Sequence, residues 1–296
     1  MLPHESPRDV QDTGESEAPP TLPSVLRALN AVQQRLENAA HARGHGDPAD
    51  LRATARELLH AIDLSADVAL ACVLRNQVAG SYAMRHSIET AVIAALVGRH
   101  LNMRPSHLLS LVTAALALHA TGRHAEGNRP ADAQVLHVPR GPEPDWAASL
   151  LQDHAPDAIA GGGTHACIHL LKMADRYCAG VSPRNYRRAL LPDDALARAL
   201  EMSPDAELTA AFHLEIGAYP PGTVVRLASG EIGVMAHRDD GQPEVLCLRD
   251  AEGRLLTMPL PRRVGQAGCA IASALGEDDI DMPVSMKQVW GPLASL

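Results

Sequence analysis

The stretch RHSIETAVIAALVGRHL, residues 85–101, is the strongest indicator of the fold. Its Ala, Val, Ile and Leu residues recur at three- and four-residue steps, which predicts a helix with a long apolar face. The same periodicity runs from about Leu22 to Ala218 and predicts a mostly helical array. Further helical segments are LPSVLRALNAVQQRLENAA (22–40), ADLRATARELLHAIDL (49–64), SADVALACVLRNQ (65–77), PSHLLSLVTAALALHA (105–120), DWAASLLQDHA (145–155), HACIHLLKMADRYCAG (165–180) and PDDALARALEM (192–202). Ser65 is a candidate N-cap, and Pro105 and Pro192 are placed at helix starts.

The period changes after YPPG, residues 219–222. Two β-type runs flank Ser229–Gly230, and two more flank the turn sequence DAEG at residues 250–253, so we expect two hairpins. The predicted fold is mainly α: a helical domain over residues 22–218, followed by a small antiparallel β appendage and C-terminal tail over residues 219–296. Such an appendage is marginally stable unless it docks onto the helices.

Composition excludes several classes of function. The 296-residue chain has a net charge of −9 and few aromatic residues, so neither charge nor stacking surfaces favour DNA or RNA binding. Its five cysteines form no Cys-x-x-Cys pair, which indicates a reducing compartment and argues against a disulfide framework. The acidic, Pro-rich residues 1–21 predict a disordered tail rather than a targeting peptide. Since no apolar run reaches the roughly 18 residues of a membrane span, we expect a cytoplasmic protein without membrane contact.

Histidine and aspartate residues fall near the ends of several predicted helices. His86 opens one helix, His119 ends the next, Asp153 and His154 close a third, and Asp175 lies late in a fourth. Neutral imidazole and carboxylate are the usual ligands of hydrolytic metal ions, and helical bundles build such sites by directing them inward. These residues are therefore candidate metal ligands. The alternative is that they are hydrogen-bonded core-edge histidines, helix caps or salt-bridge partners.

Five segments, in their order along the chain, resemble the HD-GYP family. They are RHSIETAVIAALVGRHL, LALHATGR, DWAASLLQDHA, LLKMADRYCAGVSPRNYRRALLPDDALARAL and LEIGAYPPGTVVRLASGEIGV, and the resemblance spans residues 50–265. That family belongs to the HD superfamily of metal-dependent phosphohydrolases, whose active HD-GYP members hydrolyse cyclic di-GMP. The resemblance implies an HD-type helical bundle in a bacterial signalling protein.

The resemblance also implies a metal-ligand set that this chain keeps only in part. The implied ligands are His86, His119, His137, Asp153, His154 and Asp175. Ala120 stands where the His-Asp doublet of the family has its aspartate, and Gly162 and Gly163 replace the Tyr-Pro of the GYP signature. Because a hydrolytic metal centre needs negative charge to hold its ions, these losses predict weak or absent hydrolysis.

Arg184 and Arg187 match, by the same resemblance, the basic positions that contact the phosphates of the ligand. The local basic cluster also includes Arg188, Lys172 and Arg176. Planar guanidinium groups can grip two phosphate oxygens at once. The alternative is a solvated helix face whose charges pair with Asp193 and Asp194.

Three functional hypotheses follow from these observations. The first is a degenerate HD-GYP-like protein that acts as a regulatory, nucleotide-binding or interaction module in cyclic di-GMP signalling. The second is an active metal-dependent phosphodiesterase that holds Fe or Mn with a reduced ligand set. The third is a protein–protein adaptor without a small-molecule site, either as a monomer or as an oligomer, bound to a signalling partner.

Overall fold

The computed structural model describes residues 22–41, 48–120, 166–184, 187–201, 203, 205–238, 242–276, 279–280 and 282–296. Within these residues the chain forms nine α-helices and one five-stranded sheet. The helices are α1 (Val25–His41), α2 (Pro48–Leu64), α3 (Ala66–Leu74), α4 (Tyr82–His100), α5 (Pro105–Ala120), α6 (Ala166–Val181), α7 (Pro192–Leu200), α8 (Ala206–Ile216) and α9 (Met286–Trp290), and a 3₁₀ turn covers Gly291–Ala294. The strands are β1 (Val224–Leu227), β2 (Ile232–His237), β3 (Glu244–Arg249), β4 (Leu255–Arg263) and β5 (Ile271–Leu275). The predicted tail of residues 1–21 and the predicted helix at 145–155 lie outside the described residues.

Helix α4 lies at the centre of the helical layer. Its residues 86–98 are all buried, because it packs against α5 and α6 and also contacts α1 and α8. The helix begins earlier than its apolar pattern suggests: Ser81 is the N-cap, and its side chain accepts a hydrogen bond from the backbone N–H of Met84 at 3.4 Å. His86 therefore lies in the second turn rather than at the helix start. This places its ring inside the bundle.

Two other predicted helix starts are confirmed. Ser65 caps α3, since its hydroxyl accepts a hydrogen bond from Val68 N–H at 3.2 Å. Pro192 occupies the first turn of α7, where its missing N–H costs nothing. At the junction between α6 and α7 a Cβ added to Gly180 would lie 2.8 Å from the Cβ of Ala195, so the glycine permits these two helices to approach closely.

The sheet has the strand order β4-β3-β2-β1-β5, and the described strand pairs are antiparallel. Both predicted hairpins are present as β1–β2 and β3–β4. The fifth strand was not predicted: β5 returns from the end of the chain and pairs with β1, with Val225 opposite Ala274. Its Ala- and Ser-containing sequence has little intrinsic strand preference, so the pairing with a distant strand decides its conformation.

The prediction of a helical HD-type bundle with only a small β appendage is wrong. The sheet is a substantial second layer whose three central strands, β1 to β3, bury side chains on both faces, since alternate side chains along each strand point to opposite sides. Val224, Val234 and Ala236 belong to the large apolar core formed with the helices. Val225 and Met235, with the neighbouring strands, form a second apolar cluster on the other face.

The C-terminal segment, residues 286–296, is hydrogen-bonded both to the sheet and to the residue that precedes α1. The indole Nε1–H of Trp290 in α9 donates a buried hydrogen bond to the carbonyl oxygen of Ala236 in β2 at 3.0 Å. The hydroxyl of Ser24, before α1, donates to the carbonyl oxygen of Leu293 at 3.2 Å. None of the helices in the described ranges is both long enough and apolar enough to span a membrane.

Candidate functional site

The first and last of the predicted metal ligands meet between α4 and α6. The Nε2 of His86 lies 3.0 Å from the Oδ1 of Asp175, although 89 residues separate them in the sequence. The His86 side chain is almost completely buried, at 3% exposure, whereas Asp175 is a quarter exposed. The carboxylate is thus the part of the pair that a ligand can reach from solvent.

The structure describes the other predicted ligands only in part. His119 lies in the last turn of α5, followed by Ala120 as the last residue of that helix, and the side chains of both lie outside the description. His137, Asp153 and His154 lie outside the described residues altogether. Of the six predicted ligands, the structure therefore brings together His86 and Asp175.

One face of α4 surrounds this pair with aromatic and cationic groups. Tyr82, Arg85, His86 and Glu89 follow the helical spacing that places side chains on a common face. The Tyr82 ring stacks on the imidazole of His86, with centroids 5.3 Å apart and an interplanar angle of 12°. Burial raises the pKa of the Tyr82 hydroxyl, and the nearby guanidinium of Arg184 partly offsets that rise.

Two guanidinium groups lie over the Tyr82 ring. The Cζ of Arg184 is 4.9 Å from the ring centroid, and the Cζ of Arg85 is 5.7 Å from it. Both distances allow cation–π attraction. Arg184, for which the resemblance implies phosphate binding, is separated from His86 by the Tyr82 ring.

Glu89 is a functional candidate that sequence reasoning missed. Its side chain is fully buried, the hydroxyl of Ser182 donates a hydrogen bond to its Oε2 at 2.8 Å, and the Nε of Arg85 lies 3.5 Å from its Oε1. Burial raises the pKa of Glu89 to about 7, against the opposing effects of Ser182 and Arg85. The available signal was a single carboxylate in an apolar run, one helical turn after His86.

The predicted phosphate-binding residues Arg184 and Arg187 pair with each other through their backbones after α6. The Arg184 N–H donates to the carbonyl oxygen of Arg187 at 2.9 Å, and the Arg187 N–H donates to the carbonyl oxygen of Arg184 at 3.0 Å. Arg184 and Arg187 line a cleft of about 500 Å³, which Arg75 and Arg188 also line. Arg176 instead approaches Glu201 at 4.0 Å, and neither it nor Lys172 is among the described residues of the cleft wall. The basic cluster expected from the sequence is therefore divided: Arg184, Arg187 and Arg188 line the cleft, and Lys172 and Arg176 do not belong to its described wall.

The donor atoms of His86 and Asp175 fit two adjacent ligands of one metal ion. Bonds of about 2.1 Å at a right angle place two ligand atoms about 3.0 Å apart, as these two are. A hydrolytic centre needs more ligands, and the described residues contain no group of three or more His, Cys, Asp or Glu that could hold an ion. The charges of Arg85 and Arg184 beside this pair also oppose a cation. On the described residues, a catalytic metal centre is not assembled.

Comparison of the chain with protein-family models, curated proteins and solved structures gives no match. The resemblance to HD-GYP proteins rests on the sequence motifs quoted above. The interpretation of the site therefore depends on the chemistry of its own residues.

Proposed function

We propose that this protein is a degenerate HD-GYP-like regulatory module that binds a nucleotide through its phosphates, with cyclic di-GMP as the first candidate, and that hydrolysis is lost or weak. The observation that carries this proposal is the stack of Arg184 on Tyr82 and of Tyr82 on His86. This stack supports the proposal because Arg184, the proposed phosphate contact, lies beside the remnant of the predicted metal-ligand set.

The charges around the remnant favour an anionic ligand over a metal ion. Arg85 and Arg184 contribute two permanent positive charges near the His86–Asp175 pair, against the carboxylate of Asp175 and the buried carboxyl of Glu89 that approaches Arg85. A divalent ion would face repulsion from both guanidinium groups, and a phosphate would be attracted by both. The existing hydrogen bond between His86 and Asp175 already satisfies the two atoms that would ligate the ion.

Binding would proceed through a preorganised guanidinium. Stacking on Tyr82 restricts the side chain of Arg184 before the ligand arrives, which lowers the entropy cost of binding. Arg187 is fixed by its backbone pairing with Arg184 and by the hydrogen bond that its Nη2 donates to the carbonyl oxygen of Ala179. Two oriented guanidinium groups can grip adjacent oxygens of one phosphate or of two linked phosphates.

An active phosphodiesterase is the second candidate, and it is favoured by the contact between His86 and Asp175. In that case these residues would supply two ligands, and the remaining ones would come from outside the described side chains. A bound divalent ion would activate water for attack on phosphorus. A protein–protein adaptor remains the third candidate from the sequence.

Calorimetric titration with cyclic di-GMP, in the presence and absence of Mn²⁺, tests the proposal. We expect wild-type protein to bind without turnover and Arg184→Ala to bind at least about tenfold more weakly, because a charge-assisted bidentate contact is lost. Arg104→Ala is the matched control: it removes the same charge from an exposed position outside the described cleft wall and should bind like wild type. Chromatographic detection of a hydrolysis product with Mn²⁺ would favour the phosphodiesterase, and absence of binding would favour the adaptor.

A further inference from the structure

The cleft beside Arg184 is formed jointly by the helices and the sheet. On the helical side it is lined by the end of α3, by Arg184, Arg187 and Arg188, and by the start of α7. On the sheet side it is lined by Gly222–Val224, the end of β5 and Asp279. Its volume of about 500 Å³ lies in the range of small-molecule sites, roughly 300–1,000 Å³. A ligand in this cleft would touch both layers of the fold.

The cleft concentrates positive charge in an acidic protein. Four arginines, Arg75, Arg184, Arg187 and Arg188, line it against the single described carboxylate of Asp279, while the whole chain carries a net charge of −9. Guanidinium groups remain protonated at any physiological pH, so their mutual repulsion is permanent. A bound anion would relieve that repulsion.

Arg187 has an unused donor at this site. Its Nε is buried and has no hydrogen-bond partner among the described residues, although its Nη2 bonds to Ala179. A buried donor without an acceptor is destabilising, so native structures rarely leave one unless a ligand or water supplies the acceptor. Because the Arg187 side chain lines the cleft, a small shift of its guanidinium on binding would bring Nε to an anionic oxygen there.

Arg75 is held in the helical wall by the end of α3. It is the C-cap residue, and its backbone N–H donates to the carbonyl oxygen of Ala71 at 2.9 Å. The chain then turns through Asn76, which has a φ of 49°, and Gln77 N–H bonds back to Cys72 at 3.0 Å. This closed helix end fixes the direction in which the Arg75 side chain leaves the backbone.

We infer that the cleft between the helices and the sheet is a binding site for a diphosphate or phosphodiester group, which Arg75 and Arg188 contact together with Arg184 and Arg187. Apolar residues of the wall, including Leu74, Val181 and Leu190, would contact the organic part of the ligand. This inference goes beyond the proposed function: it assigns Arg75, Arg188 and the sheet to the site, and it holds for phosphate ligands other than cyclic di-GMP.

Titration of the full chain with inorganic pyrophosphate and with ADP at low salt tests the inference. We expect pyrophosphate to bind, and ADP to bind more tightly because its nucleoside reaches the apolar wall. Arg75→Ala and Arg187→Ala should each weaken pyrophosphate binding by about tenfold, and Arg104→Ala should leave it unchanged. Arg75→Lys, which keeps the charge but not the planar donor pair, should give an intermediate loss and serves if the alanine variant folds poorly.

Hydrogen exchange with and without pyrophosphate locates the ligand. Hydrogen exchange should slow at Arg75–Asn76 on the helical wall and at Thr223–Val224 on the sheet wall, because a ligand bound in the cleft would contact both walls. Absence of binding by both pyrophosphate and ADP would overturn the inference, as would wild-type affinity of the Arg75 variants or protection confined to residues 184–188. Failure of cyclic di-GMP alone would overturn only the proposed function.

Discussion

Glu89 carries a carboxyl group in a position that ordinarily excludes charge. It is completely buried at the centre of the fold, and its pKa rises from the ordinary value of 4.5 to about 7 because burial disfavours the ionised form. The folded protein therefore binds more protons than the unfolded chain between these two pH values. Its contribution to stability must fall as pH rises from about 4.5 to about 7 and then stay level, a total loss of roughly 3 kcal/mol.

Glu89→Gln should remove this pH dependence. The amide cannot ionise, yet its oxygen still accepts the hydrogen bond from Ser182. We expect denaturant unfolding to give similar free energies for variant and wild type at pH 5, and a more stable variant at pH 8. The exposed Glu201→Gln serves as the control and should follow the wild-type profile. If the unfolding free energy of Glu89→Gln changes between pH 5 and pH 8 by as much as that of wild type, the raised pKa of Glu89 is contradicted.

The contact between His86 and Asp175 was foreseeable, and the environment of Glu89 was not. A family resemblance names residues that share a site, so it predicted that these two would approach. The hydroxyl that bonds to Glu89 belongs to Ser182, which lies 93 residues further along the chain. Helical periodicity places Glu89 and His86 on one face of α4, but it cannot say which distant element covers that face.

At the scale of elements, Gly222 joins the sheet to α3. It has a φ of +97°, and a Cβ there would lie 2.9 Å from both the Cα of Ala71 and the Cβ of Leu74. A side chain would therefore meet backbone strain and a clash with the helix. Because Gly222 also lines the arginine cleft, this contact sets the distance between the two cleft walls.

Gly222→Ala should destabilise the protein by about 2–4 kcal/mol, since left-handed strain and overpacking add. Gly253→Ala is the matched control: its φ is +82°, but nothing lies within 4 Å of its added Cβ. It should lose only the strain contribution, about 1 kcal/mol. Equal losses in both variants, measured by denaturant unfolding, would show that the approach of the loop to α3 contributes nothing.

Local patterns predicted helices α1 to α7 and both hairpins because each depends on residues close in sequence. They did not predict β5, whose partner β1 lies more than forty residues earlier. Nor did they show that the central strands would be buried on both faces: one face packs on α9 and the other helices, and the other carries an apolar cluster formed between the strands. The sheet was underestimated because its stabilising contacts are long-range.

At the scale of the whole molecule, Arg238 links the sheet to two helices. Its Nε lies 3.1 Å from Oδ1 of Asp67 at the start of α3, its Nη2 lies 3.4 Å from Oε1 of Glu215 in α8, and its Nη1 donates to the carbonyl oxygen of Glu215. Burial alone would raise the pKa of Asp67, but hydrogen bonds from His237 and Arg238 and the charge of Arg238 outweigh it and hold that pKa below its usual value. Asp67 therefore stabilises the fold above its ordinary pKa of 3.8, and this contribution is lost as pH falls further.

Arg238→Ala should lower the free energy of unfolding by about 2 kcal/mol at pH 7, because it leaves two partly buried carboxylates without their cation. The loss should shrink below pH 4, where Asp67 becomes protonated. Arg254→Ala is the matched control: Arg254 also pairs with two carboxylates, Asp250 and Glu252, but its side chain is 75% exposed, so little change is expected.

The fluorescence of Trp290 can show which layer unfolds first in Arg238→Ala, because its indole is hydrogen-bonded directly to β2. In a Trp146→Phe background, its fluorescence follows the sheet, while circular dichroism at 222 nm follows the helices. The two unfolding transitions should coincide in wild type, since both layers share one apolar core. In Arg238→Ala the fluorescence transition should come at lower denaturant than the helical one. If the transitions still coincide and the midpoint is unchanged, apolar packing alone holds the sheet to the helices.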